Sequence, residues 1–292
     1  MSTGPGSVLR WLARWPLRWL HRLGDALGWA TYLLSPTYRR RFNENARQAG
    51  LAPSQFKPAI RQAGRLVMEL PLLWARPNDQ PILPQVRWQG ESLIAAALSL
   101  GRGVVFLTAH MGCFEVTAQA FAERYGAEYG PITVLFRPAR KLWLRPLMAD
   151  ARVRPGLATA PATLAGVRQM MRALRRGESV GLLPDQVPPD GLGVWAPFFG
   201  KRAYTMTLAG RLVVQTGAVP LVAWGERLAG GAGYVVHISA FDDPAGLASP
   251  DPAESAAAVN GAMERVILQR PEQYLWGYHR YKTPAQRAAG GD

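Results

Sequence analysis

Val104-Val105-Phe106-Leu107-Thr108-Ala109-His110-Met111-Gly112-Cys113-Phe114-Glu115 opens with a short apolar, β-branched run, the pattern of a strand buried on both faces. Gly112 allows the backbone to turn sharply, and a helical pattern follows over 113–125. Strand, turn and helix in this order form a unit of an α/β sheet, and such sheets collect ligands outside the carboxyl ends of their strands. His110 falls at that edge, with Glu115 about one turn inside the helix. An imidazole with a carboxylate five residues on can act as a general base with its orienter built in, provided that His110 is not itself helical. The competing reading is a histidine that caps the helix and an acid held in a structural ion pair. No Ser-His-Asp or Cys-His order is evident, and Cys113 reads as a residue packed against the sheet. A base without a protein nucleophile points to activation of a substrate hydroxyl.

The same alternation continues outward. Runs at 104–108, 132–136, 179–183, 219–224 and 234–238 read as strands, and 113–125, 140–151, 162–176 and 205–216 read as helices, with a further helix over 254–269. Ahead of them a helical pattern covers 53–75, with Pro71 as a kink or end, and Pro77, Pro81 and Pro84 make a connector. The expected fold class is α/β, a central mostly parallel or mixed sheet flanked by helices. It is preceded by N-terminal amphipathic membrane-associating helices. The expected division is a membrane-surface helix over 1–34, a single α/β domain over 35–283 and a frayed tail over 284–292.

Composition narrows the class. The 292 residues are 48% hydrophobic and 10% aromatic, ample for a buried core. A single cysteine allows no intramolecular disulfide, and His21, His110, His237 and His279 share no ligand spacing, so neither a metal nor a cofactor is expected. The net charge of +14 is concentrated in two places. Residues 1–65 hold eleven Lys/Arg against Asp25 and Glu44, and residues 137–176 hold ten against Asp150 alone. Anionic partners follow: anionic lipid, an acidic carrier protein or nucleic acid. No RNP-type, helix-turn-helix or zinc pattern accompanies the charge, which disfavours nucleic acid.

Arg10, Arg14, Arg18 and Arg22 recur every four residues, and Trp11, Trp15 and Trp19 keep the same interval beside them. On a helix, begun or kinked at Pro16, both series form stripes, and Leu12, Leu20, Leu23, Leu27 and Trp29 widen the apolar side. Arginine beside tryptophan suits the headgroup boundary of a membrane. Arg18, His21, Arg22 and Asp25 interrupt any span of about 20 apolar residues, so the segment is expected to lie on the membrane rather than cross it. A signal peptide is not expected either. Arg39-Arg40-Arg41 extends the basic surface, and His21 is read as part of the interfacial polar face. The competing reading is a core-packed helix with solvent-facing arginines.

His110 to Glu115 fits the pattern H-x-x-x-x-D/E, and further stretches follow it in order: Phe136-Arg137-Pro138, then Arg152, then Pro184-Asp185-Gln186. Ala196-Pro197-Phe198-Phe199-Gly200 with Ala203-Tyr204-Thr205 comes next, and then Trp276-Gly277-Tyr278-His279-Arg280-Tyr281-Lys282. Together, over about 8–283, these stretches resemble the lipid A biosynthesis acyltransferases of the lauroyl/myristoyl type, within the lysophospholipid acyltransferase superfamily. The resemblance implies transfer of a fatty acyl chain from an acyl carrier protein or CoA thioester to a hydroxyl of a lipid A precursor or related lipid. The expected place is the cytoplasmic face of the inner membrane, in lipopolysaccharide biosynthesis. His110 is then the general base and Glu115 holds its tautomer, with no acyl-enzyme. The N–H groups around Met111 to Cys113, or an arginine, would stabilise the oxyanion. Arg137, Arg152 and Asp185 become substrate-binding residues, the two arginines suited to phosphate and Asp185 to orienting a basic residue or the substrate.

Two departures bear on the acceptor. Ala139-Arg140-Lys141 replaces the family's usual Asn-Pro, and Gln186-Val187-Pro188-Pro189 follows Asp185. Lysophosphatidate, an aminolipid or a glycolipid therefore stay open as acceptors. A thioester hydrolase and a non-enzymatic basic lipid- or nucleic-acid-binding protein are the other readings. Phe198 and Phe199 line either an acyl groove or the core, His279 is read as structural, and His237 as a packed or edge histidine.

Overall fold

Strand β2 (Val104–Leu107) is buried at every position, as its unbroken apolar run requires. The computed structural model describes residues 5–136 and 154–285. Around β2 lie β1 (Val86–Gln89), β3 (Ile132–Phe136), β4 (Leu157–Pro161), β5 (Ser179–Leu182), β8 (Val219–Arg227) and β9 (Tyr234–Ala240). They form one seven-stranded sheet in the order β1-β9-β8-β2-β5-β3-β4, parallel throughout except where β9 runs against β8. The expected mostly parallel α/β sheet is present. A separate antiparallel hairpin pairs β6 (Gly193–Phe198) with β7 (Lys201–Met206).

Alternate residues of β2 feed two cores. Val104 and Phe106 pack with Val116, Ala120 and Phe121 of helix α7 (Phe114–Tyr129), whereas Val105 and Leu107 face α8 (Leu164–Arg175), α9 (Leu208–Thr216) and α11 (Pro252–Gln269). Helix α6 (Glu91–Leu98) joins the first core, and the short α10 (Pro244–Leu247) the second. The sequence pattern does not reveal β1, a four-residue strand with Arg87 and Gln89 in it, or β4 and the hairpin, which carry Pro161 and Pro197. It also begins α9 too early, because Thr205 is still paired in β7. The expected helix over 140–151 lies outside the described residues.

The N-terminal third is helical: α1 (Pro5–Leu12), α2 (Leu17–Leu34), α3 (Pro36–Gln48), α4 (Pro53–Phe56) and α5 (Ala59–Ala75). Helix α2 starts just after Pro16, and α5 runs through Pro71 rather than ending there. α2 and α5 meet backbone to backbone. A Cβ on Gly28 would collide with the Ile60 carbonyl oxygen, and one on Gly64 with that of Gly24. Leu17, Leu20 and His21 are buried on α2, whereas Trp19, Leu23, Leu27 and Trp29 stay exposed, with Leu33, Leu34 and Trp11 of α1.

His21 does not sit on an interfacial polar face. The close approach of the two helices buries it, with Nε2 2.8 Å from Glu69 Oε1. Arg227, at the end of β8, grips the same carboxylate through Nε and Nη2, both at 2.6 Å, and all three side chains are within 5% of full burial. Burial alone pushes the Glu69 carboxyl up. The Arg227 charge and the His21 and Arg227 hydrogen bonds outweigh it and hold the group down at about 2.

Removing one partner of such a pair strands a buried charge. Arg227→Met is expected to lower the unfolding free energy by about 3–5 kcal/mol, read as a fall in the denaturant midpoint. Because the folded pKa lies below the ordinary 4.5, the wild-type pair contributes fully above that pH and loses its contribution as pH falls toward 2. Equal acid sensitivity in wild type and Arg227→Met would contradict this account.

Candidate active site

The pairing of β2 with β5 sets Leu107 opposite Leu182. His110 and Asp185 each lie three residues past that pair, on neighbouring strands running the same way, and the register brings them together. His110 Nδ1 is 2.6 Å from Asp185 Oδ1, and the His110 backbone N–H donates to Oδ2 at 2.9 Å. Asp185 is 1% exposed. Burial raises its carboxyl, but the His110 charge and two hydrogen bonds from His110 bring it below the usual carboxylate range. An ionised carboxylate only accepts, so Nδ1 carries the proton and Nε2 is left as the basic nitrogen.

The sequence pointed to Glu115 as the orienting acid. The structure places Asp185 on Nδ1, and Glu115, the second residue of α7 rather than a full turn inside it, lines the wall of the same cavity as His110. His110 is non-helical, as the dyad reading required, and its ring packs edge-on against Phe114 at 5.0 Å. Asp185, expected to orient a basic residue or the substrate, has both oxygens on a basic residue, His110. The signal that finds this pair is the equal three-residue offset from adjacent parallel strands, visible once their order is known. Arg137 and Arg152 lie outside the described residues.

The loop between His110 and α7 is locked. Met111 N–H donates to the Ala109 carbonyl at 2.7 Å, Gly112 N–H to Gln273 at 2.8 Å, and Cys113 N–H to Gly225 at 2.8 Å. These are the donors expected for an oxyanion, and the fold uses all three to hold the loop. Gly112 has φ +52°, and a Cβ there would collide with the Gly225 carbonyl oxygen. Arg227 Nη2 donates to the Gly112 carbonyl at 2.9 Å, tying the loop to the Glu69 cluster. The Gln273 side chain accepts from the Arg227 backbone N–H at 2.9 Å and donates to the Arg227 carbonyl at 3.1 Å.

A cavity of about 300 Å³ begins at His110 and Glu115, with Gln186 and Met206 beside them. It passes under α7 along Phe106, Phe121, Val134 and Gly181 and reaches Trp88, Ile94, Val236 and Ile238. Its lining draws on every strand of the sheet, from Leu157 of β4 to Trp88 of β1. The walls are mostly apolar. Phe198 belongs to the other core, its ring edge-on to Phe199 at 4.7 Å, and does not line the cavity, which favours packing over the groove. Cys113 is fully buried, and burial pushes its thiol well up, with Glu69 adding to the effect. His237 stacks on Trp224 at 4.3 Å and meets Glu226 at 2.8 Å, as a packed histidine would. Arg280 is buried and donates to the Tyr204 carbonyl and Thr205 Oγ1, both at 2.7 Å, while His279 is exposed. Among the described residues no cluster of His, Cys, Asp or Glu could hold a metal ion.

A histidine backed by a buried carboxylate at the strand ends, opening on a long apolar cavity, defines an enzyme of the acyl-transferring α/β class. Residues 7–283 match the family described as bacterial lipid A biosynthesis acyltransferase, and the chain belongs to that family. It is similar to the lipid A biosynthesis palmitoleoyltransferase of Escherichia coli K12, 25% identical over 77% of this chain and 70% of the relative. The lipid A biosynthesis lauroyltransferase of the same organism is 28% identical over the same shares. A lipid A biosynthesis acyltransferase of Haemophilus influenzae is 28% identical over 50% of this chain and 44% of the relative.

Asp185→Asn offers an amide where the imidazole N–H needs an acceptor, and it removes the charge that would steady an imidazolium. It is expected to lower kcat for acyl transfer by about 10²–10⁴-fold with KM little changed. Glu115→Gln, measured alongside, is expected to leave the His110 tautomer intact by ¹⁵N NMR, where Asp185→Asn disturbs it.

Proposed function

We propose that this acyltransferase moves a fatty acyl chain from a carrier thioester, on acyl carrier protein or CoA, to a hydroxyl of a lipid A precursor. The observation that carries the reading is the His110–Asp185 pair at the mouth of the apolar cavity. The acyl chain lies in the cavity with its thioester carbonyl at His110. Nε2 takes the proton of the acceptor hydroxyl as its oxygen attacks that carbonyl, while Asp185 steadies the imidazolium through Nδ1. The tetrahedral intermediate collapses, the C–S bond breaks, and the departing thiolate recovers the proton from His110. The acyl group passes directly to the acceptor, and no metal or cofactor takes part.

Glu115, on the cavity wall, accepts a hydrogen bond from the acceptor and so orients its hydroxyl. With the Met111, Gly112 and Cys113 donors engaged in the fold, the side-chain amide of Gln186 serves the oxyanion. Arg137 and Arg152 are retained as substrate-binding arginines on the strength of the sequence blocks that carry them. Wild type and His110→Ala, supplied with acyl carrier protein thioester and a lipid A precursor, are expected to differ about 10²–10⁴-fold in acylated product. Near-equal rates would sink the assignment, and release of free fatty acid without acylated lipid would favour a hydrolase.

The enzyme works on the membrane surface, at the cytoplasmic face of the inner membrane. Among the described residues no helix is long and apolar enough to cross a membrane. The exposed Trp11, Trp19, Leu23, Leu27 and Trp29 are not needed for α2 to pack on α5, and Arg10, Arg14, Arg18 and Arg22 lie exposed around them. Arg22 sits over the Trp19 ring at 4.5 Å. These residues dock on anionic lipid. Replacing Trp19, Leu23 and Leu27 together by Ser is expected to reduce flotation with phosphatidylglycerol vesicles at least tenfold, since each large apolar side chain withdrawn from water contributes about 1.5–3 kcal/mol. Undiminished flotation would remove α2 from the membrane contact.

A further inference from the structure

The C-terminal segment after Tyr274 belongs to the side of the sheet opposite the acyl cavity. Trp276 belongs to the same core as Val105 and Leu107, whereas the cavity is lined by Phe106 of the other core. Helix α3 clamps this segment. Asn45 donates from Nδ2 to the carbonyl oxygens of Trp276 at 2.7 Å and Tyr278 at 2.6 Å, and Gly277 lies flat against the Tyr38 ring. Tyr38, Arg41 and Asn45 form one stripe of α3, so Arg41 falls between two residues in contact with 276–278. Lys282 Nζ stands 5.3 Å from the centre of the Tyr278 ring.

The segment is tied to both members of the catalytic pair. Leu275 N–H donates to the His110 carbonyl at 3.1 Å, and the Tyr278 hydroxyl accepts from the N–H of Val187, two residues past Asp185, at 3.0 Å. Four residues of chain, from Leu275 to His279, reach at most about 14 Å. The exposed His279 therefore lies within a lipid headgroup's length of the base, and the charges of Arg41, Lys282 and Arg40 all reach it. Glu44 is the acid opposing them, and it is shared with Arg40 at 3.9 Å on an exposed stretch of α3. Burial and then Arg41 and Lys282 hold the His279 imidazole below its ordinary range, as expected of a place short of negative charge. A guanidinium, an ammonium and an imidazole brought together from two segments suit a phosphate, which takes several donors at once.

We propose that Arg41, His279 and Lys282 bind a phosphate group carried by the lipid acceptor, so that headgroup and acyl chain approach His110 from opposite faces of the sheet. The proposal rests on the acyl-transfer reading above and places the acceptor's anionic end.

The test uses the full chain in neutral-detergent micelles, as wild type, Arg41→Lys and the double variant Arg41→Ala/Lys282→Ala. The acceptors are a phosphorylated acyl-glucosamine disaccharide and the same lipid after phosphatase treatment. The double variant is expected to raise KM for the phosphorylated acceptor about tenfold or more, well beyond any fall in kcat, and to erase the wild-type preference for it. Arg41→Lys should retain part of that preference. Adding the phosphorylated acceptor should raise the His279 pKa in wild type and not in the double variant, by NMR. An unchanged KM, or an equal rise on both acceptors, would overturn the site. So would a defect seen only in binding phosphatidylglycerol vesicles, which would make the cluster a contact for bulk lipid. Should wild type acylate neither lipid, the acyl-transfer reading falls on its own. Direct calorimetric binding of the phosphorylated lipid, present in wild type and lost in the double variant, still decides the site.

Discussion

The ion pair between Arg227 and Glu69 is the interaction on which the rest of this structure depends. It joins three parts that the chain keeps far apart: helix α5, the end of strand β8, and the loop that carries His110. The guanidinium donates to the Glu69 carboxylate and, with a nitrogen it shares between them, to the Gly112 carbonyl. His21 brings α2 into the same cluster. The exposed tryptophan-bearing helix and the loop that carries His110 are thus tied to one buried ion pair. Two charges so deep are costly to desolvate, and an apolar replacement of similar volume could match them in stability. Directional contact with a backbone carbonyl is something an apolar replacement could not supply.

Geometry at the base follows from β pairing rather than from local sequence. Along the chain, His110 and Glu115 look like partners because they are five residues apart, and His110 and Asp185 look unrelated at seventy-five. In the sheet, β2 and β5 are neighbours in parallel register, and an equal step past Leu107 and Leu182 sets the imidazole against the buried carboxylate. Parallel strands make such pairs readily, since both chains leave the sheet at the same edge. What could be read from one dimension was therefore the strand edge and the place of His110 on it. The carboxylate on Nδ1 required the strand order.

The same distinction separates the legible from the illegible elsewhere. The apolar runs of β2, β5 and the middle of β8 announce themselves because burial on both faces demands them, those of β3 and β9 by their β-branched residues, and α1 and α2 by their Arg/Trp periodicity. The hairpin does not, for Pro197 and the Phe199-Gly200 turn mask its alternation, and Phe199 itself adopts φ +48°. Glu69, Arg227 and His21 are single polar residues in otherwise ordinary stretches. Nothing in their neighbours says that they will be buried, because the reason is the backbone-to-backbone crossing of α2 and α5.

A locked loop has a chemical consequence. Since Met111, Gly112 and Cys113 use their N–H groups internally, the loop cannot rearrange to form an oxyanion cradle without breaking contacts to Ala109, Gln273 and Gly225. Cys113, the one thiol nearby, is buried with its ionisation suppressed, which removes it as a nucleophile. A rigid base at the mouth of an apolar cavity, without a protein nucleophile beside it, suits direct attack by a bound hydroxyl better than a two-step route through an acyl-enzyme. The rigidity also fixes where that hydroxyl must stand. In the proposed reaction, with Nδ1 engaged by Asp185, Nε2 is the nitrogen left to take the proton, so the acceptor must be placed by contacts other than the loop itself.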